Sequence, residues 1–218
     1  GIYSAHGQQY TPCDRDQINY YREDHTGQLL QEGINEAGAT ASWLAAATSY
    51  SVHDLMLIPI YAFYSMFGFQ RVGDLLWAAA DSRARGFLIG ATSGRTTLGG
   101  EGLQHNDGTS HLIASTIPNC KSYDPCYAYE LAIIMRQGLV DMCQMQKDVF
   151  YYITTMNENY SHPKCPEGVE EAICQGMYCL DTDEYVVVDL LASGAILREA
   201  RAAAEYLKEH ANIGVRVW

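Results

Sequence analysis

Three short runs constrain this chain most. Leu57 to Phe63, Phe87 to Ala91 and Val149 to Thr155 are nearly unbroken stretches of apolar, β-branched and aromatic residues. A strand with one wetted face alternates apolar and polar side chains, whereas a strand covered on both faces does not. Segments with helical spacing lie between these runs. Strand and helix therefore alternate, which predicts an α/β fold with a mainly parallel sheet flanked by helices.

The spacing of Leu29, Leu30, Gly33, Ile34, Ala37, Ala41 and Leu44 predicts a helix over residues 28–48. Phe69, Val72, Leu76 and Ala79 predict another over 65–85, with basic residues in its last turn and Gly86 as its stop. Pro125 is expected to open a helix running to about Met142. Residues 119–122 and 176–180 read as strands, 157–168 as a proline-bearing loop, and the polar start as irregular with a short helix near 14–22. From Tyr185 the pattern restarts: strand 185–192, a Ser193-Gly194 turn, helix 195–210, and strand 215–218. One βαβ unit is too small to stand alone. The expected organisation is a first domain over 1–182 and the truncated start of a second over 183–218.

Composition narrows the functional classes. Across 218 residues, 14 lysines and arginines face 26 aspartates and glutamates, a net charge of −12. Such a field repels phosphate backbones and argues against nucleic-acid binding. The longest charge-free run near the middle, Leu55 to Gln70, is too short to span a membrane. The start, Gly1-Ile2-Tyr3-Ser4, has neither a signal-peptide pattern nor an initiator methionine, which points to a processed or excised piece. Seven cysteines with no C-x-x-C pair read as free thiols of a reducing cytoplasm.

Glu36 falls at the margin of the predicted apolar stripe, where partial desolvation suits a carboxylate for sharing a proton with a nitrogen base. From position alone, an ordinary boundary glutamate is the simpler explanation. Tyr64 and Phe67 follow a predicted parallel strand, at the end where α/β sheets bind ligands. Rings there can stack on a flat heterocycle or simply pack a core. His105 and His111 lie in a glycine-rich stretch with Asp107 between them. This histidine pair suits proton transfer, anion binding or, through H-x-D-x(3)-H, a metal ion; an inert loop is the alternative. The glycines carry no G-K-[ST], no G-x-G-x-x-G and no G-x-S-x-G, so local signatures for phosphate loops, dinucleotide binding and serine hydrolysis are missing.

Longer strings are more specific. Leu30-Gln31-Glu32-Gly33-Ile34-Asn35-Glu36, Tyr64-Ser65-Met66-Phe67-Gly68-Phe69-Gln70-Arg71, Thr92-Ser93-Gly94-Arg95-Thr96-Thr97-Leu98, Gly100-Glu101-Gly102-Leu103-Gln104-His105 and Asn157-Glu158-Asn159-Tyr160 closely resemble the homodimeric bacterial pyruvate dehydrogenase E1 family. The resemblance runs in order from Gly1 to Trp218. It implies a transketolase-like, thiamine-diphosphate-binding fold: the middle, pyrimidine-binding domain and the first βαβ unit of the C-terminal domain. It implies decarboxylation of pyruvate on thiamine diphosphate and reductive acetylation of the lipoyl group of dihydrolipoyl acetyltransferase. Glu36 matches the glutamate that bonds N1′ of the aminopyrimidine, Phe67 the ring the pyrimidine packs against, and Tyr64 a neighbouring active-site tyrosine. His105 matches a histidine that faces the substrate side of the cofactor and is implicated in reductive acetylation of the lipoyl group. The segment from His6 to Tyr21 resembles an active-site loop whose polar composition suits mobility. No residue here is assigned to a metal. The family's G-D-G…N motif for diphosphate and magnesium is missing, so this chain is expected to carry half of each site of a homodimer and to be inactive alone. A split or assembly subunit, or a different transketolase-type enzyme, are the competing readings.

Overall fold

The computed structural model describes residues 1–13, 15, 21–91, 93 and 99–218. A short parallel pair, β1 (Ile2–Tyr3) and β2 (Glu23–Asp24), opens the chain. The helix expected near 14–22 and the string Thr92 to Leu98 lie largely outside the described residues.

The first long helix starts later than its apolar spacing predicts. It is α1 (Glu36–Ala47), followed by α2 (Ser49–His53). Gly33 has a φ of +67°, which an α-helix does not admit, and the Asn35 side chain accepts the Gly38 N–H at 3.0 Å as the cap. Leu29, Leu30 and Ile34 consequently lie outside the helix and are exposed. The buried face is Thr40, Trp43 and Ala47; of the predicted Ala37, Ala41 and Leu44 stripe only Leu44 packs against that core, partly buried, and the two alanines are exposed. Trp43 decides that orientation. Its indole N–H lies 3.2 Å from Pro59 O and 3.1 Å from Phe87 O, so a buried polar hydrogen is satisfied while the ring fills the core.

The main sheet joins β3 (Ile60–Tyr64), β4 (Phe87–Ala91), β5 (Cys120–Tyr123) and β6 (Phe150–Thr155) in the order β3-β4-β6-β5, all parallel. The crossovers are α3 (Phe69–Asp81), α4 (Ser110–Ala114) with its preceding turns, and α5 (Ala128–Leu139), which ends in a π turn over Val140–Gln144. Side chains of β6 alternate between two cores. Phe150 and Tyr152 join Trp43, Phe63, Phe69 and Leu76 on one face; Tyr151 and Ile153 join Phe87 and Ile134 on the other. All four β6 residues are fully buried, as their unbroken hydrophobicity predicts. β3 departs from that expectation. Ile60 and Tyr64 are exposed because β3 is the edge strand, and the second core includes none of its residues.

Two helix ends also shift. α3 stops at Asp81 rather than Arg85, because Arg83 adopts a φ of +55° and turns the chain into β4. α5 starts at Ala128 rather than Pro125: Glu130 accepts the Cys126 and Tyr127 N–H groups at 2.6 and 2.9 Å and caps it there. Residues 169–180 hold α6 (Glu170–Gln175), which the apolar spacing missed.

The second sheet is β7 (Asp181–Thr182), β9 (Val215–Val217) and β8 (Val188–Leu190), with α7 (Ile196–Ala211) between β8 and β9. β8 and β9 are parallel, and β7 runs antiparallel to β9. Its core of Leu197, Val215 and Val217 packs against Cys126 and Tyr127 at the start of α5.

Candidate functional site

The C-terminal ends of β3 and β4 and the turns that follow them carry Tyr64, Phe67, His105 and His111, while Glu36 comes from the start of α1. After Tyr64 the chain makes a 3-10 turn over Ser65–Phe67 and doubles back at Gly68. A Cβ on Gly68 would fall 2.0 Å from the Phe63 ring, so only glycine permits this pass. The pass sets Phe67 beside the first turn of α3, and Val72, at φ −128°, offsets that turn from the rest of the helix.

Arg71 lies in this offset turn. Its guanidinium sits 4.0 Å from the centroid of the Phe67 ring and donates to Glu36 Oε1 at 2.8 Å. Glu36 is the first residue of α1, and its side chain is 18% exposed against 50% for Arg71. A carboxylate at a helix N-terminus gains from the helix dipole as well as from its partner. Glu36 also heads the buried Thr40–Trp43–Ala47 face, which explains its partial burial. Its charge reaches the neighbouring core: burial, then Glu36, push the Tyr61 phenol above its ordinary value.

His105 ends a 3-10 turn over Leu103–His105. Its ring meets Tyr64 at 5.1 Å and Phe67 at 5.2 Å, both edge to face. Tyr64 and Phe67 themselves lie 6.1 Å apart. His105 Nδ1 makes no hydrogen bond among the described residues; Glu101 Oε2 stands 3.6 Å away, beyond hydrogen-bond range. Glu36, Arg71, Phe67, His105 and Tyr64 thus form one chain of contacts drawn from three separate segments. Arg71 and Glu101 received no role from the sequence, although both stand four residues from their partners, Phe67 and His105, at a spacing that brings side chains together on a helical turn.

The H-x-D-x(3)-H reading does not survive the geometry. Asp107 is buried and accepts the Thr109 and Ser110 N–H groups at 3.1 and 3.0 Å. Burial alone would raise its pKa, but the hydrogen bonds from Ser110 and Thr109 prevail and hold the carboxyl below its usual range. His111 Nε2 pairs with Thr154 Oγ1 at 2.8 Å, and burial pushes the imidazole below its ordinary value. Both side chains are already engaged. Among the described residues no group of three or more histidine, cysteine, aspartate or glutamate side chains is arranged to hold a metal ion.

The model of the pyruvate dehydrogenase E1 component middle domain matches residues 1–163. The chain belongs to this family. It is 62% identical over its whole length to the pyruvate dehydrogenase E1 component of Pseudomonas aeruginosa and equally to that of Escherichia coli K12. The Cupriavidus necator protein of the same name is 56% identical. In each case the chain spans about a quarter of the relative's length (25%). Solved structures share the fold at low identity. Transketolase from Campylobacter jejuni superposes with a TM-score of 0.66 at 17% identity, covering 90% of this chain and 28% of that one. A split-gene transketolase described as an inactive β4 tetramer gives 0.64 at 15% identity, covering 99% and 62%. The α/β architecture is therefore transketolase-like. Among the described residues no helix is long and apolar enough to cross a membrane, and all seven cysteines are free thiols.

Proposed function

We propose that this chain is the pyrimidine-side part of a pyruvate dehydrogenase E1 component, which decarboxylates pyruvate and reductively acetylates a lipoyl group. The reading carries with it a cytoplasmic homodimer and the lipoyl domain of an acetyltransferase as partner. The observation that carries it is the Glu36–Arg71–Phe67–His105–Tyr64 chain of contacts, in a sequence 62% identical to proteins of that name.

These residues suit an aminopyrimidine. A half-buried carboxylate can meet a ring nitrogen, and aromatic rings beside it can flank a flat heterocycle. Thiamine diphosphate, when bound, supplies the electron sink for loss of carbon dioxide. The remaining tasks fall to the protein. Glu36 holds a proton between its Oε atoms and the pyrimidine N1′. Arg71 keeps that carboxylate oriented and partly neutralised. Phe67 and Tyr64 wall the ring and exclude water. His105, on the substrate side, serves the reductive acetylation of the lipoyl group, and its imidazole can carry a proton there. On this reading diphosphate and magnesium are held by residues outside this chain.

The test is a full-length enzyme containing these residues, wild type beside Glu36→Gln, assayed with thiamine diphosphate, magnesium and pyruvate. We expect most of the turnover to disappear while circular dichroism is unchanged. Near-normal turnover in the variant would refute the role of Glu36. Turnover by the isolated 218-residue chain would refute its inactivity alone.

A further inference from the structure

We propose that Asp124 is a positioning residue: through Thr154 and His111 it fixes the segment carrying His105, and through Ser193 and Gly194 it ties that segment to the second sheet. The proposal rests on the functional reading above, in which His105 serves reductive acetylation.

Asp124 directly follows β5, and Thr154 is a fully buried residue of β6, so both stand at the C-terminal edge of the parallel sheet. Thr154 Oγ1 lies 2.6 Å from Asp124 Oδ1 and 2.8 Å from His111 Nε2. Tyr123 O is a second, longer acceptor at 3.3 Å; a carbonyl and a carboxylate only accept, so the single hydroxyl hydrogen of Thr154 goes to this side, chiefly to the much nearer Asp124. His111 must then donate from Nε2, which sets its tautomer. The imidazole is also packed against Tyr152 at 5.1 Å between centroids.

From His111 the constraint passes along a tightly bonded segment. His111 belongs to α4, whose first N–H groups are held by Asp107. Asp107 N in turn donates to His105 O at 3.1 Å, and Ser110 Oγ donates to Ser65 O at 3.2 Å. His105 is thus two hydrogen-bonded steps from His111.

On its other side Asp124 grips the turn that enters α7. Ser193 Oγ donates to Asp124 Oδ2 at 2.7 Å, and Gly194 N donates to Asp124 O at 2.9 Å. Gly194 has a φ of +53°, and a Cβ there would lie 2.8 and 2.9 Å from the two carboxylate oxygens. Both carboxylate oxygens and the backbone carbonyl are therefore used, with one donor on β6 of the main sheet and two in the turn between β8 and α7.

The test is made in a full-length enzyme containing these residues, with Thr154→Val, Thr154→Ser and Ser193→Ala. Two assays separate the halves of the reaction: pyruvate decarboxylation read with ferricyanide as oxidant, and acetylation of a free lipoyl domain. For Thr154→Val we expect the kcat of acetylation to fall about ten-fold, with ferricyanide turnover and both KM values within about two-fold of wild type. Serine, which keeps the hydroxyl, should restore acetylation to within about two-fold. Ser193→Ala, at an exposed turn, should slow acetylation selectively by about three-fold even if the valine variant does not fold. Unchanged acetylation, equal losses in both assays, or no rescue by serine would overturn the proposal. The functional reading fails separately, if wild type performs neither reaction or if His105→Ala leaves acetylation intact.

Discussion

Asp141→Asn removes one charge and one acceptor from a buried cluster at nearly constant volume, and the loss can be worked from its partners. Asp141 is fully buried in the π turn after α5. Oδ1 accepts from Lys147 Nζ at 2.8 Å and Gln137 Nε2 at 3.0 Å; Oδ2 accepts from Lys121 Nζ at 2.6 Å and Tyr151 OH at 2.7 Å. Asparagine offers one oxygen and one NH₂, so either orientation sets an N–H donor against two donors. If the amide nitrogen faces the Oδ2 site, Tyr151, which is fully buried, loses its acceptor; that loss is worth about 1–3 kcal/mol. The lysines are 38% and 48% exposed and can turn to water, so each contributes only about 0.5 kcal/mol. The expected destabilisation is about 2–4 kcal/mol at neutral pH.

The same cluster sets a pH signature. Burial alone would raise the pKa of Asp141, but hydrogen bonds from Lys121, Lys147, Tyr151 and Gln137 prevail and hold it far below the usual carboxylate range. A carboxyl depressed on folding stabilises the native state above its unfolded pKa, and that stability is lost as pH falls through the folded value. With an unfolded pKa of about 3.9, roughly 1 kcal/mol of the difference between wild type and Asp141→Asn should vanish by about pH 3. Urea unfolding followed by far-ultraviolet circular dichroism at both pH values measures it. A neutral-pH difference under about 1 kcal/mol, or one that does not narrow on acidification, would refute the reasoning.

Gly194→Ala should destabilise by about 1–3 kcal/mol in thermal unfolding, since the residue has a φ of +53° and its new methyl would meet the Asp124 carboxylate. Thiol reactivity should follow burial. Cys13 is exposed and should react first with iodoacetamide at mildly alkaline pH, whereas burial pushes Cys120 up to about 12 and leaves it unmodified until the chain unfolds. Mass spectrometry of the peptides reads the order, and early labelling of Cys120 would contradict the packing described for β5.

Much of the sheet is legible because burial on both faces leaves a local trace. Phe87 to Ala91 forms a strand over the whole predicted run, and Val149 to Thr155 misses by one residue. The edge strand reads less well, since its hydrophobicity looks the same whether or not a second layer reaches it. The start of α1 misleads for another reason. Leu29, Leu30 and Ile34 fall on the helical period by chance, and the contrary signals are single residues, Gly33 and the capping Asn35. A period summed over many residues hides such stops.

The candidate site divides along the same physical line. Phe67 with Arg71, and Glu101 with His105, are four residues apart, so those pairs are visible as spacing. Glu36 with Arg71 spans 35 residues and exists only because α1 packs on α3. Periodicity could leave Glu36 no more than a boundary glutamate, and family resemblance had to supply a role. The Asp124 network goes further still. Its members Asp124, Thr154, His111 and Ser193 come from four segments, and small polar residues at strand ends look like ordinary turn formers. What marks them is that a fully buried hydroxyl must give its only hydrogen to one partner and accept from another. That constraint belongs to three-dimensional packing, and replacing Thr154 by valine removes it while keeping nearly the same volume.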